Sequence, residues 1–170
     1  MDTLVLTPLQ NHDREQFICD NQAAFLYGAT EEFGVQNTHF EEDGQIIARH
    51  TIEQSLDAAT AKAYRIVFNN EIAGGVVLQL FGEYGDLDLL FVSPNQHSQG
   101  IGYRAWCAIE KMHPEIKIWQ THTPYFEQRN IHFYINWLGF HIVEFFNPYH
   151  PDKKHNNATE GFFRFEKIMK

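Results

Sequence analysis

Cysteine is scarce in this chain. Cys19 and Cys107 show neither the C-x-x-C spacing of a zinc site nor the density of a disulfide framework. Both fall in segments that read as helices, so they are expected to be reduced core thiols. Long apolar runs are also missing: nothing approaches the roughly 18 residues that a membrane span needs. The first ten residues, MDTLVLTPLQ, lack a basic region followed by an apolar core, so no signal peptide is expected and the expected location is cytoplasmic. Positive charge is in the minority, and the formal net charge of -9 argues against a nucleic-acid partner or an anionic membrane surface. Repeats, low-complexity tracts and linkers are absent too, which leaves one domain over residues 1–170.

Histidine, by contrast, is plentiful. Yet His150 and His155 sit in a loop, Thr121-His122-Thr123 sits at a strand end, and no i, i+4 pair with a closing carboxylate exists. No metal is expected. Asn157-Ala158-Thr159 matches a glycosylation sequon, by chance in a chain without a signal.

The order of elements is informative. Residues 4–7 read as a strand and 12–28 as a helix, with Phe17, Ile18, Ala24 and Phe25 near helical spacing. A polar, acidic stretch follows. Residues 51–63 read as a second helix, with Thr51 as its cap. Two β-rich runs joined by Asn69-Asn70-Glu71 form a hairpin, and YGDLDLLFV adds a third strand. Then come a glycine turn, a helix ended by His113-Pro114, and the strand KIWQTHT. A helix beginning at Pro124 closes at Gly139, and two strands, HIVEFF and GFFRFEKIM, finish the chain. Two strands joined by a helix are usually parallel. The pattern therefore predicts an α/β (α+β) fold: a mixed, mostly antiparallel sheet of six or seven strands with helices on both faces.

The turn SPNQHSQGIGYRAW carries the functional signal. A Gly-x-Gly turn opening a helix suits close backbone approach by an anion. Gly100 to Ala105 satisfies G-x-G-x-x-G/A, but a dinucleotide site needs the strand to run almost directly into the first glycine and an acidic residue closing the next strand. Here Ser93 to Gln99 intervene, and the next strand ends in Gln120-Thr121-His122. A phosphate-binding P-loop is excluded because no lysine follows the glycines.

A third pattern fits. Val92-Ser93-Pro94, followed by His97-Ser98-Gln99-Gly100-Ile101-Gly102, resembles the GNAT superfamily of N-acetyltransferases, whose signature is a strand ending V-x-P, then Q/R-x-x-G-x-G/A, then a helix. The resemblance extends to the element order over nearly the whole chain. It implies acetyl-CoA as co-substrate, with the N–H groups of residues 99 to 103 (Gln99, Gly100, Ile101, Gly102, Tyr103) turned to its pyrophosphate and the helix dipole assisting. The backbone of Phe91 and Val92 would pair with the pantetheine arm. His97 stands where the family usually has glutamine or arginine; an imidazole still donates to phosphate.

The reaction implied is attack of an amine on the thioester, which needs a base, oxyanion donors and an acid for the thiolate. Tyr134 is the candidate acid. It stands five residues before Gly139, whereas the family's tyrosine stands four before the glycine. A one-residue shift turns a helical side chain by about 100°. Asn130, four residues before Tyr134, is the candidate pantetheine partner. Asp86 and Asp88 alternate with leucines and share a strand face, as a base or as a solvated surface would; Glu83 is weaker. Glu31, Glu32, Glu41, Glu42 and Asp43 lie in the region that the family uses for its acceptor, with Phe25, Tyr27 and Phe33 nearby. Phe145-Phe146 and Phe162-Phe163 are expected against the sheet, where a homodimer contact is conceivable. The expectation is an N-acetyltransferase acting on an amine: a small molecule, a polyamine or a peptide terminus. A non-catalytic acyl-CoA-binding protein of the same fold is the alternative.

Overall fold

A computed structural model describes residues 1–30, 44–97, 99–153 and 161–170. Strand β1 (Leu4–Pro8) leads into helix α1 (Arg14–Thr30), and helix α2 (Arg49–Asp57) into strands β2 (Ala61–Phe68), β3 (Glu71–Phe81) and β4 (Tyr84–Val92). Helix α3 (Ile101–Met112) and strand β5 (Ile118–Pro124) follow. Helix α4 (Gln128–His132), strand β6 (His141–Phe146) and strand β7 (Phe162–Ile168) complete the chain. The seven strands form one sheet in the order β1-β2-β3-β4-β5-β7-β6, antiparallel throughout except for the parallel pair β4·β5.

The hairpin turn is tight because Asn69 and Asn70 both take positive φ, 51° and 68°. That backbone matches the right-handed twist of the flanking strands, and asparagine tolerates it. The sheet buries a cluster on each face. Leu87, Trp106, Trp119, Phe140 and Phe165 pack under α3. Phe17, Ile18, Ile52, Val77, Leu89 and Phe91 pack under α1 and α2. Arg65, 3% exposed, fastens α1 to β2: Nε lies 2.7 Å from Asp13 Oδ2 and Nη2 3.1 Å from Asp20 Oδ2. The Arg65 hydrogen bond holds the Asp13 carboxyl below its ordinary range.

Leu87 and Leu89 serve opposite clusters although they are two residues apart. The cause is a β-bulge. Val77 pairs with Leu89 and Leu78 with Leu87, so Asp88 is the extra residue of β4 and the alternation restarts there.

Four local expectations are corrected. Helix α2 stops at Asp57, and Ala61 to Ala63 belong to β2, where pairing with Gln79, Leu78 and Val77 outweighs alanine's helical propensity. Its cap is Ala48 rather than Thr51, whose N–H already donates to the Ala48 carbonyl. Pro124 ends β5 opposite Phe162 instead of opening a helix. Cys19 and Cys107 are both exposed, on the outward sides of α1 and α3, so neither is a core thiol. Residues 31–43, with Glu31, Glu32, Glu41, Glu42, Asp43 and Phe33, together with Ser98, His155 and the sequon, lie outside the described residues.

Candidate active site at the split in the sheet

Strands β4 and β5 pair over only three positions: Tyr84↔Ile118, Gly85↔Trp119 and Asp86↔Gln120. Beyond them the strands part. Thr121 Oγ1 donates to the Leu87 carbonyl at 2.8 Å and marks the apex of the split. Phe91 and Val92 retain their β3 partners, Gly75 and Gly74, and have no pairing with β5. This leaves a strand edge against which an extended amide chain fits.

At the wide end of the split, β4 runs through a short turn (Pro94–Gln96) to α3. Gly100 caps α3 with φ 68° and ψ 22°, a left-handed conformation that other residues adopt at a cost. A Cβ there would meet nothing within 4 Å, so the space before the helix N-terminus is a cradle that glycine keeps open. Gly102 has a different use. A Cβ on it would stand 3.1 Å from the Phe133 ring, so its bareness admits that aromatic. His97 turns away from the cradle: its Nε2 lies 2.9 Å from the Val92 carbonyl and its ring meets Tyr27 edge-on at 5.3 Å. Gln99 folds back onto Gln96. Among the described residues, the side chains of His97 and Gln99 are thus engaged elsewhere, and the backbone N–H groups that open α3 suit a phosphate in an acidic protein.

The spacing of Tyr134 now has a physical explanation. After α4 the chain makes one wide turn over Phe133–Trp137, in which the Leu138 N–H reaches five residues back to the Phe133 carbonyl at 3.1 Å. Such a turn holds one residue more than an α-turn and absorbs the extra position before Gly139. Tyr134 packs against Phe140 and Phe165, with the Thr121 side chain beside its hydroxyl at the apex. Burial pushes that hydroxyl up to about 12; Thr121 works the other way, while Glu127 and Asp86 raise it further. Asn130 is half-buried on α4, one turn before Tyr134.

The two aspartates point to the same side of the sheet and are used differently. Asp88 Oδ2 accepts from Ser55 Oγ at 2.5 Å and from Gln79 Nε2 at 3.0 Å, which commits it to α2. Asp86 is buried and lies opposite Gln79 and Gln120, at the last rung before the split. Glu83 is exposed in the turn before β4, with its carbonyl bonded to Lys117.

Nothing in the sequence marks His122 beyond its place at a strand end. Thr121 faces the α3 side, so His122, next along β5, faces the other and is the first side chain there beyond the β4 pairing. Arg164 lies directly across from it on β7, and Glu144 across from Arg164 on β6. Glu144 accepts from Arg164 Nε at 2.9 Å and lies 2.7 Å from His150 Nε2; Arg164 Nη1 donates to Glu166 at 2.6 Å. The Phe146 ring lies stacked between His122 and His150, at 6.3 and 5.6 Å. Alternation along KIWQTHT would have placed His122 opposite Thr121. Its neighbours, more than twenty residues away in sequence, were beyond reach of pattern reading.

Among the described residues, no group of His, Cys, Asp and Glu is arranged to hold a metal, and no helix is long and apolar enough to cross a membrane. Residues 26–140 match the acetyltransferase (GNAT) family. The uncharacterized protein YrkN of Bacillus subtilis (strain 168) is 40% identical over 98% of this chain and 94% of its own length. An acetyltransferase from Thermus thermophilus superposes with a TM-score of 0.68 at 15% identity, covering 98% of this chain and 97% of that one. A GNAT acetyltransferase from Elizabethkingia anophelis, solved with acetyl-CoA bound, superposes with a TM-score of 0.60 at 18% identity, covering 99% and 98%. With its strands parted ahead of a glycine-capped helix and this match along most of its length, the chain belongs to the GNAT acetyltransferase family.

Proposed function

We propose that the protein transfers the acetyl group of acetyl-CoA to a primary amine by direct attack. The supporting observation is the arrangement at the apex: the Tyr134 hydroxyl meets Thr121 on one side of the sheet, and Asp86 and His122 stand on the other. Acetyl-CoA supplies an activated thioester. The N–H groups of residues 99 to 103 would hold its pyrophosphate, the free edge of Phe91 and Val92 its pantetheine, and Asn130 an amide of the same arm. The amine enters from the Asp86 and His122 side. His122 takes its proton, Asp86 favours its cationic form on arrival, and Tyr134 gives a proton to the departing thiolate.

Calorimetric titration with acetyl-CoA, with NADH as control, comes first. Saturable binding of acetyl-CoA alone is expected. Thiol release should then depend on an added amine, drawn from spermidine, glucosamine and an alanine-terminated tetrapeptide. Binding without release by any amine would favour an acyl-CoA-binding protein. No binding would sink the reading.

The base is tested by pH. An imidazole must be neutral to accept a proton, so kcat/KM should rise with pH along an acid limb and then level off. Among the described residues, Arg164, Glu144, Glu166 and Asp86, with the titratable ring of His150, face His122 on this side of the sheet. His122→Gln should lose that limb and slow the reaction by about a hundredfold. An acid limb that persists in His122→Gln would transfer the role to Asp86.

A further inference from the structure

Beside the cradle stand two large aromatic side chains that the fold does not use. Tyr103, in the first turn of α3, is 41% exposed, and Trp137, at the end of the wide turn, is 59% exposed. Their rings meet at 6.0 Å and 61°, and the close seat of Phe133 on Gly102 brings the two segments together. Exposed rings of this size carry apolar area that a soluble surface gains little by showing.

The charges nearby sharpen the point. A nucleotide held at this helix would ordinarily find a cation in the first turn. Arg104, the cationic side chain of that turn, is turned elsewhere: its guanidinium lies 5.2 Å over the Phe68 ring and donates to the Asp2 carbonyl at 3.3 Å. His97 is engaged with Val92 and Tyr27. Among the described residues, these two basic groups are thus engaged away from the helix N-terminus, and the exposed side chains of Tyr103 and Trp137 stand beside it.

We propose that Tyr103 and Trp137 seat the adenine of acetyl-CoA, stacking on the base once the backbone of residues 99 to 103 holds the pyrophosphate. This rests on the acetyl-CoA reading and adds to it where the nucleotide half is recognised and by what force. Stacking against an aromatic plane suits a purine and needs no further charge.

The experiment compares two ligands: acetyl-CoA, and S-acetyl-4'-phosphopantetheine, which lacks the adenosine. Affinities are measured for the wild type, Tyr103→Ala, Trp137→Ala and Trp137→Phe. Both aromatic positions are exposed, so the variants should fold, and circular dichroism checks this. The alanine variants should bind acetyl-CoA about 5- to 100-fold more weakly. Their affinity for the phosphopantetheine thioester should stay within twofold, and Trp137→Phe should recover most of the loss. Trp137 fluorescence should be quenched by acetyl-CoA and not by the truncated thioester. Unchanged acetyl-CoA affinity in both alanine variants would overturn the seat and leave the acetyl-CoA reading standing. An equal loss for both ligands would also overturn it, since the aromatics would then be supporting the cradle itself. Failure of the wild type to bind either ligand would overturn both readings.

Discussion

Tyr134→Phe should lower kcat by two to four orders of magnitude while acetyl-CoA binds within about threefold of the wild-type affinity. The substitution removes one oxygen and leaves the ring, whose packing against Phe140 and Phe165 fixes the wide turn. What disappears is the proton at the apex. Burial above all, with the charges of Glu127 and Asp86, pushes the hydroxyl up to about 12 and keeps that proton in place. It stays protonated throughout the neutral range and ionises only as the pH approaches 12. Wild-type activity should therefore show no alkaline loss from this group below about pH 10. Stopped assays of amine-dependent thiol release, paired with calorimetry on the same preparation, separate chemistry from binding. Full turnover in the phenylalanine variant would remove Tyr134 from the chemistry without disturbing the rest.

Gly74→Ala should be strongly destabilising. A Cβ at Gly74 would stand 2.1 Å from the Phe91 carbonyl oxygen and 3.1 Å from the Val92 Cα. These are backbone atoms of the neighbouring strand, with no rotamer to change. Over-packing of an interior costs about 1–3 kcal/mol when side chains can give way, and here the sheet itself must move. A loss of about 3 kcal/mol or more is expected, a fall in Tm of about 6–12 °C for a chain of this size. Gly82→Ala is the control: φ is 65° and a Cβ meets nothing within 4 Å, so only left-handed strain of about 1–2 kcal/mol applies. Urea midpoints for the two variants decide the matter. Equal midpoints would mean that β3 and β4 can separate freely at this rung.

Much of this was legible in the residues. The alternation of YGDLDLLFV and the Val92-Ser93-Pro94 to Gly102 spacing placed β4 and the α3 cradle correctly, because both are set by neighbours within a few positions. The five-residue gap from Tyr134 to Gly139 was visible as an anomaly. Its resolution was not, since a wide turn leaves no signature beyond the extra residue itself. The Asp88 bulge was hidden for a similar reason: it exists only in the register against β3. Two properties that read simply were decided by long-range packing. Cys19 and Cys107 have the composition of core residues but lie on helix faces turned away from the sheet. Pro124 looks like a helix start, yet pairing with Phe162 carries β5 through it.

The three rungs between Tyr84↔Ile118 and Asp86↔Gln120 have a mechanical side. On one side of them lie the four antiparallel strands β1 to β4; on the other, a three-stranded ribbon of β5, β7 and β6. Each half keeps its own ladder whatever the gap does. Opening the cleft therefore works like a pair of tongs: the arms stay stiff, and deformation concentrates at a short pivot braced from beneath by Trp106 and Trp119. Small angular changes at that pivot become larger displacements at the jaws. The grip on a long, thin cargo is then adjusted without remaking either arm.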